Sequence, residues 1–381
     1  MLRSSISYTY KYERYFKKCM APATLSQYQG KAYDNFKDSL KTEVTQLVYT
    51  NSLKRFLTYN KLTKPQELLT IPSDTLEDMI KNHTIYLQKE IKSPSQAMIF
   101  QSAFKHFCRM NKIRGIEWDL LHEYKGKTAK PTKYGQDRDD AYSNEQINKV
   151  LSVCNLRNRA IVLIYCTTGI RLSALPPMRL KHILKIGDTY RFTVYENDEE
   201  YYSLCTPECA AAIDSYLQFR ERNFEQLTPE SPLIREEFDT VSLIRMKPRH
   251  VSSNAIQWTI AQLLNRVGIR EVDHVQGGFR NRKKVKLIHG FRKFFKTQLL
   301  QSHVDTTIRK MLMGHDLKLD DAYDRPSFDF IVSEYTKAID ALTIDPANRL
   351  RKKVEMLTIE KSKVDQALSD IQDMKARLGL T

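Results

Sequence analysis

The 381-residue chain contains no run approaching the roughly 18 to 20 apolar residues needed to span a bilayer. Its six cysteines, Cys19, Cys108, Cys154, Cys166, Cys205 and Cys209, are scattered and form no pair of CxxC knuckles. That argues against a disulfide framework and for reduced, mostly buried thiols in a cytosolic compartment. Cys205 and Cys209 lack a second pair of ligands nearby, so no metal is expected. Residues 1–24 begin MLRSSISYTYKYERYFKKCM and lack the apolar core of a secretory signal. They read as a basic arm that touches phosphates or as a disordered tail. Acidic residues are the scarcer charge, 45 against 61 Lys and Arg, which leaves a net charge of +16 and a pI near 9.4. This excess favours a polyanionic partner, because every phosphate neutralised by Lys or Arg releases condensed counterions.

With 41% apolar residues the chain can build real cores, and its length allows two domains with smaller attachments. Residues 25–126 read as a helical bundle. Ser93-Pro94-Ser95-Gln96 is a helix start, followed by Ala97, Phe100, Ala103, Phe104 and Phe107 on one face. Asp74 and Glu77 give a similar capping signal, and Tyr49 to Leu62 is amphipathic. Lys54, Lys105 and Arg109 are among the cations decorating this bundle. Residues 127–141, rich in Lys, Asp, Gly and Thr and lacking apolar periodicity, read as a linker. A second domain, 142–344, opens with the capping box Ser143-Asn144-Glu145-Gln146. The apolar run Ala160 to Cys166 reads as a core helix leading to Thr168-Gly169. Tyr190 to Tyr195 and Tyr201 to Cys205 read as a hairpin around Glu196-Asn197-Asp198-Glu199-Glu200. The expected fold is mainly α with a small antiparallel sheet. Residues 345–381 carry a heptad: Leu350, Leu357, Val364, Ile371 and Leu378 at d, with Val354 and Leu368 at a, where Lys361 and Lys375 interrupt. A C-terminal coiled-coil helix is expected.

Three distant segments form one ordered set. The first is Thr168-Gly169-Ile170-Arg171-Leu172-Ser173-Ala174-Leu175 and the second is His289-Gly290-Phe291-Arg292. The third is Leu312-Met313-Gly314-His315, with Tyr323 eight residues after the histidine and just before Arg325-Pro326. Each alone is weak, but the order and spacing together are specific. On these motifs the chain resembles the tyrosine recombinases, the phage-integrase-like family, and most of all the archaeal integrases of viruses and mobile elements. The resemblance covers roughly residues 25–344. It implies a helical core-binding domain of the SAM-like type, a catalytic domain, and strand exchange on double-stranded DNA by a dimer or tetramer. It also implies a DNA-associated place in the cytoplasm (the nucleoid), with no membrane and no cofactor.

Chemistry explains the residue types. A phosphodiester repels an anionic nucleophile, and two guanidinium forks, those of Arg171 and Arg292, can hold its nonbridging oxygens and stabilise the pentavalent transition state. Nearby cations favour the phenolate of Tyr323, the expected covalent nucleophile. The resemblance implies a 3′-phosphotyrosyl intermediate that conserves the bond energy, so that rejoining needs neither ATP nor a metal. It assigns acid/base work to His289 and phosphate binding to His315. Tyr335, twenty residues past His315, is expected instead to pack a helix with Ile331 and Ala338. The chain departs from the family pattern at Ala174, where an acidic residue is usual, and in the hairpin turn, which lacks the family's proton-donating Lys. Lys185, placed before the first strand, is the candidate substitute. The run Arg280, Arg282, Lys283, Lys284 and Lys286 is another cation source, expected to contact phosphate. The missing turn Lys keeps open a decayed DNA-binding protein on the same scaffold. A type IB topoisomerase-like enzyme would use the same nucleophile.

Overall fold

The computed structural model describes residues 28–91, 93–124, 140–196, 199–237, 248–269, 287–315 and 326–378. Two compact units divide the chain, Met1–Tyr134 and Gly135–Thr381.

The first unit holds five helices among its described residues: α1 (Lys31–Asp38), α2 (Glu43–Tyr59), α3 (Ser73–Lys89), α4 (Pro94–Met110) and α5 (Trp118–Glu123). Its core is aromatic. Ala97, Phe100, Phe104 and Phe107 of α4 are buried with Phe36 and Phe56, and the Phe56 and Phe104 rings lie 4.4 Å apart. The apolar period of α4 is therefore its packed face. Pro94 opens that helix, but the Ser93 side chain makes no capping bond. In α3 the start falls at Ser73, after Pro72, with Asp74 in the first turn. Glu77 caps nothing there; its carboxylate accepts from the Glu117 backbone N–H at 2.7 Å and ties α3 to the approach to α5.

The second unit begins with α6 (Asn144–Leu151), whose Ser143 and Gln146 bond reciprocally as a capping box. Helix α7 (Leu156–Thr168) runs through the middle of the core, with every residue from Ala160 to Thr168 buried. It stops at Gly169, in the left-handed region at φ 62°. Only glycine serves there, because a Cβ would collide with the Phe295 ring. An antiparallel sheet follows in the order β1 (Ile183–Ile186), β2 (Thr189–Val194), β3 (Tyr201–Leu204). The hairpin appears as expected from the sequence. The preceding strand β1 was not foreseen, because its Ile-Leu-Lys-Ile is too short to carry a period. Lys185 thus lies inside the first strand and not ahead of it.

Beyond the sheet come α8 (Pro207–Arg222), α9 (Ser253–Arg266), α10 (Leu287–Gln301), α11 (Thr306–Leu312), α12 (Phe328–Thr336) and α13 (Ile339–Leu342). Tyr335 of α12 is buried and its hydroxyl donates to the Thr167 carbonyl at 2.8 Å, so it is a core residue. Arg220, fully buried, forks onto both oxygens of Glu225, whose Oε2 also accepts from Arg235 Nη1 at 2.7 Å. The chain then enters α14 (Pro346–Leu378), a single helix of 33 residues. Its start is pinned by Glu208, whose carboxylate accepts from the backbone N–H groups of Ile344 and Asp345. Leu350, Val354, Leu357, Val364, Leu368 and Ile371 are all exposed along it. No helix among the described residues is long and apolar enough to cross a membrane.

Candidate active site

The left-handed turn that ends α7 brings Arg171 to the start of a short 3-10 helix, Leu172–Ala174. Arg292 projects from α10, one turn after His289, so the two share a helix face. Gly314 and His315 follow the end of α11. Arg292 stitches these segments together. Its Nη1 donates to the Gly169 carbonyl, and its Nη2 donates to the Met313 carbonyl and to His315 Nε2, each at 2.8 Å. Arg171 Nη2 donates to the Gly314 carbonyl at 3.1 Å. The two arginines differ in setting: Arg292 is buried and Arg171 is exposed. A guanidinium carries five N–H donors. Three of those on Arg292 are committed to the Gly169 and Met313 carbonyls and His315, and the guanidinium also meets the Tyr201 phenol.

The same contact fixes the state of His315. Arginine can only donate, so His315 Nε2 accepts, and the neutral ring keeps its proton on Nδ1. Burial holds the His315 pKa below the ordinary imidazole value, helped by the charges of Arg292, Arg171, Lys296 and Lys310. Lys296 lies four residues beyond Arg292 on α10, so its charge joins the same face.

The hairpin closes another side. Tyr195 sits in the left-handed region at φ 57°, an uncommon conformation for a residue with a side chain. Its hydroxyl pairs with Ser173 Oγ at 3.0 Å, and its ring meets the Tyr201 ring edge-on with centroids 6.1 Å apart. Tyr201 in turn packs on Gly314. That residue has φ 57°, and a Cβ there would fall within the tyrosine ring. Sequence reasoning missed Ser173, Tyr195 and Tyr201. The available signal was a pair of tyrosines flanking the acidic turn next to the three motifs.

Lys185 does not join this cluster. Its ammonium pairs with Asp214 at 3.0 Å and lies over the Tyr190 ring. Lys185 faces Tyr190 across β1 and β2, whereas Tyr201 faces Val194, four residues on. At about 3.3 Å per residue that is a separation of about 13 Å along the strand. Nearer the turn, Lys181 binds Glu196 at 3.3 Å and Glu230 at 3.4 Å, and these carboxylates raise its pKa. His289 is exposed on the first turn of α10. Tyr323 and the cations Arg280, Arg282, Lys283, Lys284 and Lys286 lie outside the described residues. In the first unit, Lys105 and Arg109 are exposed four residues apart on α4, and Lys54 is half-buried on α2. The Lys105 ammonium lies over the Trp118 ring, and Arg109 donates to His106 Nδ1 at 3.3 Å.

No family model matches the chain. The tyrosine recombinase XerC of Lactobacillus leichmannii is 24% identical over 246 residues, covering 61% of this chain and 73% of that protein. Among solved structures, the Tn1549 transposon integrase in complex with transposon right-end DNA superposes with a TM-score of 0.50 at 13% identity. That match covers 81% of this chain and 99% of the integrase. A lambda integrase dimer bound to a COC′ core site also gives 0.50 at 13% identity, over 78% of this chain and 98% of that one. Likeness at this identity speaks for the fold, a mostly helical architecture around a small antiparallel sheet. In sequence the chain is thus similar to a tyrosine recombinase, and in fold it is similar to two integrases.

Proposed function

We propose that this chain is a site-specific recombinase, an integrase that cuts and rejoins double-stranded DNA through a 3′-phosphotyrosyl bond at Tyr323. The observation that carries the reading is the joining of three distant motifs by Arg292 and Arg171 around the Gly314-His315 backbone. In this reading, Arg171 and the donors of Arg292 not spent on the Gly169 and Met313 carbonyls and His315 hold the nonbridging oxygens of the scissile phosphate. His315 supplies its Nδ1 proton as a further donor. His289, exposed one turn before Arg292, exchanges a proton with the reacting oxygens. The phenolate of Tyr323 attacks phosphorus, the bond to the 5′ oxygen breaks, and the 5′ hydroxyl of another strand later reverses the step. Arg280, Arg282, Lys283, Lys284 and Lys286, with Lys54, Lys105 and Arg109 of the first unit, are proposed to bind DNA backbone. The exposed heptad face of α14 supports assembly of two or four protomers on DNA. The motif flavour supports a mobile-element integrase of the archaeal kind, acting on nucleoid DNA.

The test is covalent capture. Duplexes selected by the protein from a randomised pool, then nicked beside the scissile phosphate, should trap a protein–DNA adduct. Tyr323→Phe should give none. Absence of adduct with the native chain, or an equal yield from Tyr323→Phe, would sink the proposal. Salt-sensitive binding without cleavage would favour a decayed scaffold, and relaxation of plasmid at random sites would favour a topoisomerase.

A further inference from the structure

We propose that the Tyr201 hydroxyl is an additional hydrogen-bond donor to the phosphate held by Arg171 and Arg292. The inference rests on the recombinase reading of that site and adds to it a residue from the hairpin. The Tyr201 hydroxyl is buried; the Arg292 guanidinium can only donate to its oxygen, and no acceptor for its own proton is found among the described residues. Buried polar groups are normally paired, so an orphan proton beside two guanidiniums calls for an explanation. The nearby acceptors already serve other donors, and none of them takes the Tyr201 proton. The Gly314 carbonyl takes Arg171, the Gly169 and Met313 carbonyls take Arg292, and the Tyr195 hydroxyl is paired with Ser173. The charged groups acting on the phenol are Arg292 and Arg171, which have protons to give and no lone pair to offer. Among the described residues the phenolic proton therefore has no acceptor, and an anionic oxygen held by the two arginines would supply one.

Position is well enforced. Gly314 gives up its side chain and takes a left-handed conformation so that the Tyr201 ring can lie against it. Tyr195 braces the other side from a left-handed conformation of its own. Burial raises the phenol's pKa, which the two arginines lower only in part, so the group stays protonated at neutral pH. It is therefore a donor and not a second nucleophile. The hydroxyl is closed to solvent in the DNA-free chain, and Arg171 is bonded to the Gly314 carbonyl beside it. Contact with phosphate thus accompanies a turn of the exposed Arg171 side chain from that carbonyl to the ligand.

The test is Tyr201→Phe in the full chain, with Tyr323→Phe in parallel. Single-turnover adduct formation on nicked DNA should slow about 100-fold, the usual effect of removing one donor from a transition-state anion. The affinity for inorganic phosphate, read by thermal shift, should weaken about tenfold. The Tm of the ligand-free variant should stay level, because the proton lost with the hydroxyl has no acceptor among the described residues. A purely structural hydroxyl would do the reverse, lowering the Tm and sparing both other readouts. A cleavage rate within about threefold of the native chain, or an unchanged phosphate affinity, overturns the proposal, as does a native chain that binds no phosphate. If the native chain forms no adduct at all, the recombinase reading fails by itself and the phosphate titration still decides the role of Tyr201. Loss of adduct in Tyr201→Phe alone, with Tyr323→Phe fully active, would make Tyr201 the nucleophile and overturn both.

Discussion

Replacing Arg292 with Lys should cost both folding and chemistry, and the structure gives the size of each. The guanidinium holds three acceptors at once: the Gly169 carbonyl, the Met313 carbonyl and His315 Nε2. An ammonium on a shorter stem reaches one of these well and leaves two without partners. Each buried acceptor so stranded costs about 1–3 kcal/mol, so a loss of about 3 kcal/mol is expected after crediting the bond that Lys keeps. For a unit of this size that is about 6–12 °C in Tm. The chain has two tryptophans, Trp118 in the first unit and Trp258 in the second. In a Trp118→Phe background, guanidinium unfolding followed by Trp258 fluorescence reads the second unit on its own. Below the unfolding transition, covalent cleavage should fall by about two to three orders of magnitude, because a lysine cannot fork onto phosphate. A stability loss under about 1 kcal/mol would refute the claim that Arg292 carries the scaffold as well as the phosphate.

Arg171→Lys should behave differently, losing cleavage by a similar factor but less than about 1 kcal/mol of stability, since the side chain is exposed and makes one protein bond; a large drop in the Trp258 unfolding midpoint would contradict this. Burial, reinforced by the charge of Arg55, holds the His83 pKa down at about 4. The ring stays neutral in the folded first unit while the unfolded chain takes up a proton below about pH 6.5, so stability is complete above that pH and falls by on the order of 3 kcal/mol as the pH drops towards 4. His83→Leu should flatten the profile read from Trp118 fluorescence, and an unaltered slope would show that other groups carry it. Glu225→Ala strands Arg220 and Arg235 in the core and should destabilise the second unit by about 3–5 kcal/mol; a change near zero in the unfolding midpoint would mean that the buried ion triad is dispensable. Leu357→Glu with Ile371→Glu should reduce the mass of DNA-free and DNA-bound assemblies in sedimentation without moving the unfolding midpoint, and unchanged masses would remove α14 as an assembly element.

Much of this protein could be read from local chemistry. The helix start at Ser143 follows from a side chain that caps its own backbone, and the structure keeps that bond. The core period of α4 and the apolar run of α7 survive because burial enforces them. Glu77 was misread because its partner, the Glu117 backbone, is forty residues away. Strand β1 was missed because four residues carry too little pattern against the pairing that the fold supplies. Lys185 failed as a substitute donor for a related reason. Its sequence position before the hairpin is near the site, but β1 turns it towards Asp214 on α8. The same sheet brings in Tyr195 and Tyr201, whose relevance depends on packing against Gly314 and which no linear motif encodes.

The two arginines at the centre occupy opposite ends of a compromise. A donor that is already oriented costs no reorganisation when charge develops on the phosphate, and Arg292 meets that condition because three protein acceptors fix its plane. The same three bonds consume most of its donors. A second cation must therefore supply what Arg292 cannot, and it must be loosely held to do so. Arg171 is exposed and has a single backbone partner to leave, so its donors can be transferred to a ligand at small cost. This division explains why both residues must be arginine although their surroundings differ. One uses the fork to join three chain segments into a rigid wall. The other uses it to close on the phosphate, and the carbonyl it leaves lies on Gly314, the residue against which Tyr201 packs.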